Sequence, residues 1–144
     1  MQNLARYQLL ISWVKIKVMS RKELLKSARN SLLKLHKSLL DHERAIYEGI
    51  NGSVNAGQFL NVLLEDPDFA WLRKFSTLIV EIDELFDQKD GVTVESVEAH
   101  IIKLRELVSM EDEDESFRAK YQAALQQDID AAAHQGVLRE LLKS

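Results

Sequence analysis

Residues 20–49 read SRKELLKSARNSLLKLHKSLLDHERAIYEG and predict one long amphipathic helix. Apolar side chains recur there at alternating steps of three and four residues, the spacing that places them on one face of an α-helix. Ser20 and Glu23 fit a capping box that begins this helix, and Gly49 fits the glycine that ends it. We therefore expect a central helix whose buried stripe is Leu25, Ala28, Leu32, Leu35, Leu39, His42 and Ile46.

The rest of the chain predicts about five more helices joined by short connections. It has few helix breakers, with five Gly and one Pro in 144 residues, and is rich in residues of high helix propensity. Polar residues that suit helix N-termini precede each apolar-periodic segment. They are Asn55, Asp66 before Pro67, Thr93, the acidic run at 111–115, and Asp128 or Asp130. The expected fold is an all-α, single-domain helical bundle over residues 19–144.

Residues 1–18 form an apolar arm ahead of this bundle. Leu4, Tyr7, Leu10 and Ile11 have helical spacing, whereas residues 14–18 alternate between apolar side chains and lysines, as in a strand. We expect a short separate helix that contributes to self-association, because an apolar segment outside a complete bundle often orders on a neighbouring subunit. Met19 before Ser20 would also suit a translation start, so these residues are either a native arm or an upstream extension.

Charge is distributed unevenly along the chain. The net charge is −4, yet the first 44 residues carry ten Lys and Arg against three acids, and the remaining hundred carry nine against twenty. A segment of +7 is thus joined to one of −11. Such opposite fields favour head-to-tail association or a partner of matching polarity.

Composition limits the class of protein. The chain has no Cys, which removes disulfides, thiolate metal sites and Cys nucleophiles and fits a reducing compartment. No apolar run is long enough for a membrane span, and the N-terminal segment lacks a signal-peptide cleavage site. We expect a cytoplasmic protein without a membrane span.

Three polar side chains at the edges of apolar stripes are the candidate site. His36 and Glu43 are seven residues apart on the first helix, and Asp83 borders the apolar face of the third predicted helix. If these helices pack antiparallel, the three side chains converge, and a half-buried His–carboxylate pair has the properties of a general base or ligand site. A polar contact that fixes helix register is the simpler interpretation.

Basic residues on the first helix are the candidate partner-binding surface. They are Lys22, Lys26, Arg29 and Lys37, which suit an acidic peptide or phosphate but are also typical of a solvated helix face. The acidic balance of the whole chain argues against nucleic acid as the partner.

No enzyme or cofactor signature is present in the sequence. The four His residues lack the Glu-x-x-His spacing of di-iron bundles and the His-x₃-His spacing of zincins. A phosphate-binding glycine loop and a nucleophile elbow are also missing. We therefore expect no cofactor and lean against an enzyme.

Three segments, at residues 35–44, 66–73 and 78–84, resemble a group of small bacterial all-helical proteins of unassigned function. The resemblance covers roughly residues 20–90 and implies a bacterial helical protein, with no site to carry over. From the residues themselves we expect an interaction module that binds a protein partner or a second copy of itself. The alternative is a small-ligand or metal-binding protein, or an enzyme, with a site at His36, Glu43 and Asp83.

Overall fold

The computed structural model describes residues 2–111 and 114–144, and in the first helix the side chains of residues 3–12 and 20–51. Within these ranges the fold is an all-α bundle with six α-helices, one 3₁₀ helix and no strand. The helices are α1 Gln2–Asn51, α2 Ala56–Glu65, the 3₁₀ helix Pro67–Leu72, α3 Arg73–Phe86, α4 Val94–Val108, α5 Glu115–Gln127 and α6 Ile129–Leu142.

α1 is one continuous helix, and this corrects three sequence predictions. Ser20 lies inside it rather than at its start, so the arm is not a separate short helix. No Gly or Pro precedes Gly49, so nothing in residues 2–48 breaks the helical hydrogen bonds. Gly49 is helical too, and the chain turns at Gly52, whose φ of +88° is the left-handed conformation that glycine adopts without strain. Gly52 N–H donates to the Glu48 carbonyl at 2.8 Å and closes the helix.

The later helix starts largely follow the sequence prediction. Asn55 and Gln58 form a reciprocal capping box, with N–O distances of 2.8 and 2.9 Å. Thr93 caps α4 and Asp114 caps α5 through their side-chain oxygens. Pro67 differs, because it begins a 3₁₀ helix rather than the first turn of α3.

α3 and α6 both run antiparallel to α1. Contacts between α1 and α3 descend in order: Arg29 meets Asp83, and His36 stacks on Phe75. On the other side, Arg21 Nη1 donates to the carbonyl of Ser144, and His42 Nε2 lies 3.2 Å from Gln127 Oε1. The other helices therefore cover α1 only from about Arg21 onward. The part of α1 before Arg21 extends away from the bundle.

The core closes over most of the predicted stripe. Leu25, Ala28, Leu32, Leu35 and Leu39 are fully buried. His42 and Ile46 differ from the prediction, since His42 is half-buried and Ile46 is 42% exposed. The reason is the length of α6, which begins at residue 129, level with His42, and leaves the next turn of α1 uncovered.

Candidate functional site

The structure does not bring His36, Glu43 and Asp83 together. Asp83 binds Arg29, with guanidinium Nε and Nη2 each 2.9 Å from a carboxylate oxygen. Glu43 is fourteen residues further along α1 than Arg29, which is about 21 Å at 1.5 Å per residue. The helices pack antiparallel as the hypothesis requires, but their register places Asp83 a full four turns from Glu43. A three-residue site is therefore not formed.

His36 packs as an aromatic group. Its ring stacks on Phe75 with centroids 6.3 Å apart and planes 16° from parallel. Phe75 belongs to a buried aromatic cluster with Trp71, Phe117 and Tyr121. Burial lowers the pKa of His36, because the protonated ring loses hydration there. His36 thus extends the core.

Glu43 lies half-buried on the side of α1 that faces α5. Burial raises the pKa of its carboxyl, and the charges of His42 and Lys120 oppose that rise. In the part of the chain that the structure describes, no side chain forms an ion pair or hydrogen bond with this carboxylate, so its lost hydration is only partly offset by these nearby charges. The ionised carboxylate therefore lowers the stability of the fold at neutral pH.

The predicted basic surface is largely occupied by contacts within the chain. Lys22 and Lys26 both place Nζ over the ring of Phe86, at 5.9 and 5.6 Å from its centroid. Arg29 forms an ion pair with Asp83, and Lys37 Nζ forms one with Asp41, one turn away, at 2.7 Å. Each of the four side chains thus has a contact within the chain, while Lys26 and Lys37 remain 47% and 77% exposed.

The core contains a buried polar pair that was not predicted from the sequence. The Tyr121 hydroxyl donates to Gln135 Oε1, and Gln135 Nε2 donates to the Val108 carbonyl at 2.8 Å. Both side chains are almost completely buried, and burial raises the pKa of Tyr121 well above its ordinary range. The pair joins α5, α6 and the end of α4. A Gln at an otherwise apolar helix position was the only sequence signal.

The arm presents a run of apolar side chains to solvent. Every side chain from residue 3 to residue 12 is exposed, because the helix there has left the bundle. Five large apolar side chains in this segment are each more than half exposed: Leu4, Tyr7, Leu9, Leu10 and Ile11. A concentration of this kind marks an interaction site in ordinary proteins.

A groove of about 640 Å³ lies between α3 and α4. Leu78 and Leu107 form part of its floor, and charged side chains from both helices form its rim. Lys103 pairs with Glu81 across the groove at 3.1 Å. The groove is open to solvent along its length, as a site for an extended or helical segment would be.

The chain matches no known family, and neither a curated protein nor a solved structure is detectably similar to it. The resemblance to small bacterial helical proteins therefore stays a prediction. Among the described residues, no three metal-ligating side chains lie together. In the same part of the chain, no helix is both long enough and apolar enough to cross a membrane.

Proposed function

We propose that this protein is an association module whose arm, residues 1–18, joins it to a second copy of the same chain. The observation that carries the proposal is the exposure of five large apolar side chains on a helix that has left its own bundle. Burying them in a partner removes apolar surface from water, which is the main driving force of protein association.

The continuity of α1 supports association between chains rather than within one. Residues 2–51 form a single helix, so the arm points away from the bundle from which it emerges. Folding back onto that bundle would require the helix to break near Arg21. A surface on another molecule is therefore the natural acceptor.

Charge supports a second copy as the partner. The arm has Arg6, Lys15 and Lys17 and no acidic residue, whereas the bundle beyond residue 44 carries twenty acids against nine bases. Two arms alone would repel each other, but an arm beside a bundle brings opposite charges together. The same chain supplies both surfaces.

The test is the mass in solution of the full chain and of matched variants. We expect the parent chain to have the mass of two 16.5 kDa chains at micromolar concentrations by light scattering. Leu4→Glu with Ile11→Glu should reduce the mass to that of one chain without loss of helicity. Ile129→Glu is the control, because Ile129 is 86% exposed on α6, far from the arm, and its change should leave the dimer intact.

A parent chain of single-copy mass across this range would overturn the proposal. So would a dimer that persists in the double arm variant, since the contact would then lie elsewhere.

A further inference from the structure

The α3–α4 groove has two carboxylates that the fold does not neutralise. Glu106 and Glu111 lie on its rim and are exposed, and neither forms an ion pair within the described ranges. The three cations of the groove are engaged. Lys103 pairs with Glu81, Lys74 pairs with Asp114 at 3.8 Å, and Arg73 donates to the carbonyls of Leu63 and Leu64. The groove thus combines an apolar floor with two available negative charges.

The arm has the complementary chemistry. Leu4, Tyr7, Leu10 and Ile11 are spaced three and four residues apart, so they share one helix face. Arg6 is four residues before Leu10 and therefore lies at the Leu10 edge of that face. No acidic residue occurs before Glu23. An apolar helix with a cation at its edge is the form of ligand that a groove with free carboxylates fits.

Distances along the helices place these two surfaces at the same level. Residues 4–11 lie about 15 to 26 Å beyond Arg21 along α1, from the rise of 1.5 Å per residue. In the antiparallel register set by Arg29 with Asp83 and His36 with Phe75, groove residues 73–81 lie beside α1 residues about 31–39. That is about 15 to 27 Å from Arg21 in the opposite direction.

We propose that the arm of a second copy occupies the α3–α4 groove, with its apolar face on Leu78 and Leu107 and Arg6 beside Glu106 and Glu111. The two copies are related by a two-fold axis, with their α1 helices antiparallel and passing each other near Arg21. Each arm then extends along the bundle of the other copy to the level of its groove, so the exchange is reciprocal and closed. This inference rests on the proposed function and names the surface that receives the arm.

A charge swap tests the contact between Arg6 and the groove. Arg6→Glu alone should raise the dimer dissociation constant about 5- to 30-fold, and so should the double change Glu106→Arg with Glu111→Arg. The effect is this large because the two-fold symmetry makes each contact occur twice in the dimer. Combining all three changes should restore most of the affinity. Asp130→Arg is the control: Asp130 is an exposed acid at the start of α6, away from the groove and from Arg21, and its reversal should have little effect.

Cross-linking tests the placement directly, since the chain has no native Cys. Tyr7→Cys with Thr77→Cys should form a disulfide-linked dimer on mild oxidation, because Thr77 lines the groove. Tyr7→Cys with Gln122→Cys should form little beyond what Tyr7→Cys gives alone, because Gln122 is exposed on α5 outside the groove.

The outcomes separate the two proposals. If the chain is a dimer that depends on the arm, but the swap gives no restoration and the Thr77 pair does not cross-link, the groove is not the acceptor and only this inference fails. If the chain is monomeric and the arm instead binds vesicles of anionic phospholipid, both proposals fail and the arm is a membrane-surface anchor.

Discussion

Arg29 and Asp83 form a two-point ion pair that joins the middle of α1 to the last third of α3. Both nitrogen–oxygen distances are 2.9 Å, and the guanidinium is only partly exposed. A planar fork of this kind fixes orientation as well as distance. The pair sets the register of α3 on α1. It also gives Asp83, which the sequence suggested as part of a site, a structural partner instead.

We predict that this pair couples more strongly than an exposed one. A double-mutant cycle of Arg29→Gln and Asp83→Asn should give a coupling of about 1 kcal/mol by urea unfolding, because the contact is bidentate and half-buried. The same cycle on Lys37 and Asp41, which pair one turn apart on the surface, should give less than about 0.5 kcal/mol. Equal couplings would show that Arg29 does not set the register.

Gly49 and Gly52 should respond in opposite directions to alanine. Gly49→Ala should stabilise the protein by about 0.5–1 kcal/mol, because Gly49 is helical, exposed and has open space around it. Gly52→Ala should destabilise it by about 1 kcal/mol, because the φ of +88° strains an L side chain. Thermal unfolding of both variants checks this, and a stabilising Gly52→Ala would contradict a left-handed backbone at Gly52.

The buried amide of Gln135 should be less tolerant of change than the hydroxyl of Tyr121. Tyr121→Phe leaves one acceptor without its donor and should cost about 1–3 kcal/mol in urea unfolding. Gln135→Leu should cost more, since it leaves both the Tyr121 hydroxyl and the Val108 carbonyl without this partner. If Gln135→Leu proves the milder change, water or repacking satisfies those groups instead.

Glu43→Gln should stabilise the protein at pH 7. Burial raises the pKa of Glu43 above 4.5, so the folded state binds its proton more tightly than the unfolded state and loses stability as pH rises through that raised pKa. The gain from glutamine should therefore be present at neutral pH and disappear below pH 4.5. Melting temperatures between pH 4 and pH 8 measure it.

Glu48→Gln is the matched control for Glu43→Gln. Glu48 lies on the same helix but pairs with Arg44 and accepts the Val54 N–H at 3.0 Å, so glutamine there should destabilise the protein at pH 7. The same sign of effect at both positions would contradict the interpretation of Glu43.

Local chemistry was sufficient to predict most of the fold. The caps at Asn55, Thr93 and Asp128 depend on residues within one turn of each helix start, and the structure confirms those positions. The prediction that a helix begins at Ser20 was wrong, because local chemistry does not decide whether a helix continues through a capping sequence. A capping box competes with continuation of the helix, and with no breaker before Gly49 continuation prevails.

The candidate site was less predictable because it depends on register between helices. Periodicity places His36, Glu43 and Asp83 at the edges of their stripes, but it does not fix how far α3 slides along α1. That displacement follows from long-range pairs such as Arg29 with Asp83, which are 54 residues apart in the chain. The contact between Tyr121 and Gln135 could not be predicted for the same reason, since it joins two different helices.

The unbroken course of α1 couples the angular position of the arm to the bundle. Each residue inserted near Met19 would rotate everything before it by about 100° around the helix axis and move it by about 1.5 Å. One inserted alanine would therefore turn the apolar face of the arm away from its original direction, whereas seven would return it to within about 20°. Association through the arm should follow this helical phase rather than the length of the inserted segment.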